Sequence, residues 1–285
     1  MNKGIKKLTL LANLFVASVV LVACSNSESI KNESAMNISS LKQVDEESDE
    51  YLQEDNAKAL SIEEVNLDSV NEDRTYKVAI DKIKNISNFD ISNIWLIYNE
   101  IDKEGNIVSE SKMLLDMTLK PGEVFKATFK LKEGSEGINM TSYEYNVLDN
   151  TINVNLKDSN IKITKNTLSK VESDEYEVLS FSDAEKIDST KDSYKYKIKI
   201  KNNSSKSISN ITLKVVELNE SGEYIKVSYE SVNSALNPSQ ESEITINASK
   251  KSQKIKVSGY VYDDINENLN IDIDLNSDEA KINNY

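Results

Sequence analysis

The chain has 285 residues, with 48 acidic side chains against 34 basic ones and a formal net charge of −14. Such a surface repels polyanions, so no nucleic acid is expected among its partners. Histidine is absent and cysteine occurs once, which excludes disulfides, Cys- and His-ligated metal sites, and hydrolases built on a histidine base.

The chain opens on a short positive segment, Lys3, Lys6 and Lys7, followed by an apolar run from Leu8 to Ala23 broken by Asn13 and Ser18. The run is shorter than the ~20 residues that a spanning helix needs, and its basic flank fits the hydrophobic region of an export signal. It closes on Leu21-Val22-Ala23-Cys24. This closing motif resembles the lipobox of bacterial lipoproteins. The resemblance implies a diacylglycerol on the Cys24 sulfur, removal of residues 1–23, and acylation of the new amino group. Two or three acyl chains hold a protein firmly to a bilayer, whereas one alone is marginal. Usage rich in Asn, Lys, Ile and Ser points to an AT-rich, Gram-positive source, so the expected address is the outer face of the cell membrane.

Residues 24–59 are polar and acidic, centred on Asp45-Glu46-Glu47-Ser48-Asp49-Glu50. Their sparse apolar residues cannot offset the entropy of ordering, and the segment reads as a tether.

Beyond it the sequence repeats itself at a shift of 117 residues. Asn85 falls on Asn202, Ser92-Asn93-Ile94 on Ser209-Asn210-Ile211, Leu96 on Leu213, and Glu100 on Glu217. Gly105 meets Gly222, Pro121 meets Pro238, and Tyr143 and Tyr145 meet Tyr260 and Tyr262. A repeat of this length is the size of a small domain. The boundaries that follow are 60–165 and 172–285.

Each copy reads as strands. Tyr194-Lys-Tyr196-Lys-Ile198-Lys-Ile200 alternates with the period of a half-buried strand. In the first copy Tyr76, Val78 and Ile80 alternate likewise, but Ile83 falls out of phase, which predicts a β-bulge near Asp81-Lys82. Ile94-Leu96-Tyr98 matches Ile211-Leu213-Val215 as the next strand, and turns follow at Asp102–Asn106 and Asn219–Glu223, each carrying a glycine. Further strands are expected near 123–131, 139–148 and 151–157 and at their counterparts 240–248, 256–265 and 268–275. Leading strands are expected near 62–67 and 176–181. Seven short strands per copy, punctuated by turns, predict an all-β chain of two tandem immunoglobulin-like antiparallel β-sandwiches.

The runs Lys84-Asn85-Ile-Ser-Asn, Ile94-Trp95-Leu96-Ile97-Tyr98, Asp102-Lys-Glu-Gly105-Asn and Leu119-Lys-Pro121-Gly122-Glu resemble the FxLYD-type domain, a small sandwich found in bacterial surface lipoproteins. The second copy departs from it at Val215, where the aromatic is missing, and at Ser239, which replaces the glycine. The resemblance implies a fold and a surface location, and it carries no catalytic residue or ligand.

Candidate sites are few. Asp264-Ile-Asn266-Glu-Asn268-Leu-Asn270-Ile-Asp272 spaces oxygen ligands as calcium would want, but Leu269 and Leu275 stand where a calcium loop needs glycine and a bidentate glutamate. The expected structure is a hairpin whose second strand, Leu269-Ile271-Ile273-Leu275, turns Asn and Asp outward, and no metal or other cofactor is assigned. No glycine cluster offers a phosphate cradle. Trp95 and Ile97 stand out because their parity places them opposite the inward Ile94, Leu96 and Tyr98, where the second copy has Thr212 and Lys214. They form the candidate interaction patch. The expected function is a membrane-anchored, non-catalytic binding or adaptor module whose partner is an envelope protein or wall polymer. The alternatives are a structural spacer of the envelope or, less well matched to an all-β chain, the solute-binding lipoprotein of a transporter.

Overall fold

The computed structural model describes residues 57–68, 78–166 and 171–284. The expected export signal, Cys24, nearly all of the expected tether, and Tyr76 lie outside the described residues.

The first copy contains β1 (Leu60–Asp68), β2 (Val78–Asn85), β3 (Ser92–Ile101), β4 (Ile107–Leu115), β5 (Val124–Lys130), β6 (Gly137–Val147), β7 (Asn150–Asn155) and β8 (Ile161–Lys165). A two-residue strand, β9 (Val171–Glu172), leads into the second copy. That copy contains β10 (Leu179–Phe181), β11 (Glu185–Ser189), β12 (Ser193–Asn202), β13 (Ile208–Leu218), β14 (Tyr224–Ser231), β15 (Glu241–Ser249), β16 (Lys254–Asp264), β17 (Leu269–Asp274) and β18 (Glu279–Asn284). The chain is all-β, and its strands form immunoglobulin-like antiparallel sandwiches. In the first, β1-β2-β5 faces β4-β3-β6-β7-β8. In the second, β10 and β11 pair with β12, which pairs with β15, and this layer faces β14-β13-β16-β17-β18-β9.

Alternation supplies the two cores. Ile94, Leu96 and Tyr98 of β3 and Tyr143 and Tyr145 of β6 turn inward in the first copy, as do Ile211, Leu213, Tyr260 and Tyr262 in the second. The tyrosines also use their hydroxyls. Tyr145 donates to Ala57 O at 2.8 Å and Tyr262 to Tyr176 O at 2.9 Å, so each β6-type strand holds the chain entering its own sandwich. Burial pushes the Tyr143 and Tyr260 hydroxyls up to about 12.

Three expectations are corrected. No bulge occurs at Asp81-Lys82, since β2 pairs with β5 without a break from Val78–Lys130 to Lys84–Val124. The extra residues sit in the neighbouring edge strands instead, between Glu64 and Asn66 in β1 and between Lys186 and Asp188 in β11. Ile83 fell out of phase because the inward residue before it is a carboxylate: Asp81, 4% exposed, occupies the place of Ile198. Second, each copy has an eighth strand, β8 or β18, which the expected count omitted although Ile161 and Ile163 alternate with Lys162 and Lys165 ends the run. Third, the leading strand of the second copy is broken into β10 and β11.

Two buried polar side chains recur in each copy and hold its loops. Asn85 Nδ2 donates to Phe89 O at 2.7 Å and Leu119 O at 2.8 Å, while its Oδ1 accepts from Ser87 N and Ser87 Oγ. Asn202 repeats the arrangement with Lys206 O, Leu236 O and Ser204. Glu100, buried at the far end of β3, accepts from Lys132 N at 2.7 Å, Ser135 Oγ at 2.9 Å and Ser111 Oγ at 3.1 Å. Glu217 does the same with Ser249 N and Ser252 Oγ, and its other oxygen pairs with Lys226 at 3.1 Å. The proline turns differ in one respect. Gly122 takes φ +82° at no steric cost, whereas Ser239 holds φ +65° in the same turn.

Two substitutions test this account by urea unfolding. Asn202→Ala leaves the buried Leu236 carbonyl and the partly buried Lys206 carbonyl without their donor and should lower stability by about 3 kcal/mol. Ser239→Gly relieves the left-handed backbone and should raise stability by about 1 kcal/mol.

Candidate functional site

Trp95 and Ile97 lie where their parity placed them, on the outer face of β3 and half-buried. Trp95 stands opposite Leu114 on β4 and Glu144 on β6, and Ile97 stands opposite Lys112 and Ser142. The Lys112 ammonium sits 4.4 Å from the centre of the Trp95 ring, a cation over the negative face of the indole. Leu114, 39% exposed, extends the apolar surface onto β4, and Val108, 41% exposed, lies beyond Lys112 and Glu110 on the same strand. The patch is therefore a short strip across β3 and β4, bordered by Glu144 on β6 and by Lys112 on β4.

The same face of the second copy has a different fate. Counterparts of Trp95, Ile97 and Asn99 are Thr212, Lys214 and Val216, and over Leu213–Glu217 every residue of β13 is buried. Alternation fails there because the first sandwich covers the outer side. Val216 and Tyr224 are buried within the first copy's core cluster, with Leu218 and Val227 packed against it. β14 runs beside β5 in a parallel pairing at Tyr224 and Phe125, which joins one layer of each copy into a nine-stranded sheet. Burying a side chain of this size contributes about 1.5–3 kcal/mol.

Polar contacts ring this joint. Tyr224 donates to Glu123 Oε1 at 3.1 Å, Lys82 pairs with Glu223 at 2.9 Å, and Thr118 donates to Asp274 Oδ2 at 2.6 Å. At its centre Lys214 lies 3.4 Å from Asp116 and 3.0 Å from Asp272, while Tyr229 donates to Asp116 at 2.6 Å. Burial alone would lower the Lys214 amine, but Asp272 and Asp116 outweigh it and hold the amine above its ordinary value. The crevice here encloses about 20 Å³, room for one water. Asp116, Asp272 and Asp274 in its lining are engaged by Lys214, Thr118 and Tyr229, so the cluster works as a clamp between the copies.

The remaining carboxylate runs are also engaged. Asp264 pairs with Lys206 at 2.8 Å and accepts from the backbone of Asn266 and Glu267, closing the β16–β17 hairpin with Ile271 and Ile273 inward as expected. Among the described residues no three Cys, Asp or Glu side chains gather in a geometry that could hold a metal ion. A more open hollow of about 360 Å³ lies in the first copy, lined by Leu60, Ile62, Asp81, Ile138, Asn139, Met140 and Leu156. Asp81 went unnoticed in the sequence. Its signal was the polar residue at an inward position, which the matching Ile198 would have exposed. For Lys214 there was no such signal, since its burial depends wholly on the other copy.

No protein-family model matches the chain, and no curated protein matches it. Among solved structures it is similar to red sea bream transglutaminase at 11% identity, covering 72% of this chain and 28% of that one with a TM-score of 0.20. It is also similar to the Amycolatopsis orientalis exo-chitosanase CsxA at 12% identity, covering 72% of this chain and 25% of that one with a TM-score of 0.21. A third similarity, at 10% identity and a TM-score of 0.16, is to the C-terminal globular domain of a Pyrococcus abyssi oligosaccharyltransferase, covering 70% and 44% of the two chains. The chain thus spans about a quarter of the length of the first two. Superpositions this loose speak to neither activity nor ligand.

The clamp can be tested directly. Lys214→Met leaves Asp116 and Asp272 facing each other without a cation and should cost about 3 kcal/mol in urea unfolding. Lys112→Met, at the exposed equivalent of Tyr229, should change stability by less than about 1 kcal/mol.

Proposed function

We propose that this chain is a lipid-anchored protein of the outer face of a Gram-positive cell membrane, and that its two sandwiches serve as a non-catalytic binding module. The anchor is the diacylglycerol that the Leu21-Val22-Ala23-Cys24 motif implies, with residues 25–59 as the tether. The observation that carries the binding reading is the outer strip of Trp95, Ile97 and Leu114. It leaves apolar surface exposed on the first copy at the face that the second copy uses for a domain contact. Its partner is an envelope protein or a wall polymer. A non-catalytic role is supported by the engagement of the central carboxylates in the Lys214 clamp and by the absence of histidine from the chain.

A spacer role is the second reading, and the joint favours it. Val216, Tyr224 and Lys214 fasten the copies together as a stiff unit, which suits a part that sets distance.

Detergent phase separation of cells producing the full chain checks the anchor. Wild type should enter the detergent phase in a processed form, and Cys24→Ala should stay unprocessed; equal processing of both sinks the lipoprotein reading. Affinity capture from native envelopes checks the patch. The double variant Trp95→Ser, Ile97→Ser should lose the captured material, whereas unchanged capture would leave the spacer.

A further inference from the structure

β4 is an edge strand. Among the described residues it pairs with β3 on one side only, and its counterpart β14 is the strand that the second copy places beside β5. Free edges of sheets are normally guarded by charge. The outer edge of the second copy, β15, follows that rule. Glu241 and Glu243 face Lys197, Lys199 and Lys201 of β12 in a ladder of ion pairs. β4 carries a register shift at Val108 and two exposed charges, Glu110 and Lys112, but no ladder of ion pairs, and Ile107, 58% exposed, and Leu114 are open to solvent.

The order of side chains on β4 is self-complementary. Along its outer face the strand presents Val108, Glu110, Lys112 and Leu114, with Ser111 between the two charges. If the strand lies antiparallel to a copy of itself with Ser111 opposite Ser111, Glu110 stands opposite Lys112 and Val108 opposite Leu114. Both charge pairs and both apolar pairs are then satisfied at once, because residues directly opposite share a face. Centring the pair on Glu110 or on Lys112 instead sets like charges against each other. Of these three registers only the one about Ser111 sets unlike charges opposite each other.

We propose that β4 is the contact through which two copies of this chain associate, by antiparallel edge-to-edge pairing about Ser111. The two five-stranded layers become one ten-stranded sheet, and the closed two-fold contact leaves neither β4 edge exposed. Trp95 of β3 stands beside Leu114 of β4, so the apolar strip of each copy runs on to Val108 of the other, one strip at either end of the two charge pairs. This inference is independent of the lipid anchor and of whatever ligand the patch takes.

Charge exchange tests it on the full chain in mild detergent, with mass read by sedimentation velocity. Wild type should sediment as a dimer in the micromolar range. Glu110→Lys alone and Lys112→Glu alone set like charges opposite and should each weaken self-association roughly tenfold. Mixing the two single variants should restore a dimer, and so should the double exchange E110K/K112E. Circular dichroism and Trp95 emission confirm that each variant is folded. A wild type that stays monomeric overturns the proposal, as does a dimer indifferent to the single variants or one that mixing does not restore.

Discussion

The buried asparagine at the end of each second strand is the contact on which the sandwiches depend. With no disulfide available, something else must close the long connection between the two layers. Asn85 and Asn202 do so by donating to two carbonyls from separate loops while accepting from the serine two positions on. Asparagine is suited to this because one side chain carries two donors and an acceptor in a plane. Once the proline turn and the β2–β3 loop are tied at this point, the facing strands have little freedom to slide. Glu100 and Glu217 perform the corresponding task at the other end of the sandwich. These polar ties are permissible in a core because each buried side chain has several partners: Asn85 and Asn202 use both donors and the acceptor, and the Glu217 oxygen that takes no hydrogen bond faces the Lys226 ammonium.

The same economy explains how the copies meet. A chain without disulfides gains stability from area, and placing Val216 and Tyr224 against the first core adds area that neither sandwich could bury alone. The acidic composition makes that contact difficult, since Asp116, Asp272 and Asp274 approach one another across it. Lys214 resolves the difficulty by standing between Asp116 and Asp272, while Thr118 and Tyr229 supply further donors. The two copies have thus diverged on one face. Lysine and valine in the second copy accept a domain, where isoleucine and asparagine in the first meet solvent.

That divergence is where function is to be sought. The strip of Trp95, Ile97 and Leu114 and the lightly guarded edge of β4 adjoin one another, and both are properties of the first copy alone. The second copy's matching surfaces, the outer face of β13 and the strand β14, are occupied by the first copy. An evolved difference between duplicated domains, at equivalent positions of one fold, separates what the fold requires from what the protein uses.

Much of the architecture was legible in the residues. The repeat, the turns at Gly105 and Gly222, the inward parity of Ile94-Leu96-Tyr98 and the outward Trp95 all follow from local rules: a period of two, and residues that tolerate a left-handed backbone. The misplaced bulge has a physical cause, which is that periodicity assumes an apolar residue at each inward position. Asp81 broke that assumption and looked like an inserted residue, while the true irregularities fell in β1 and β11, where no pattern marked them. Only the tertiary structure could decide the burial of Lys214 and Val216 and the joining of β5 to β14. Those depend on which surface of one copy meets the other, and a strand's own sequence does not encode what will cover its outer face.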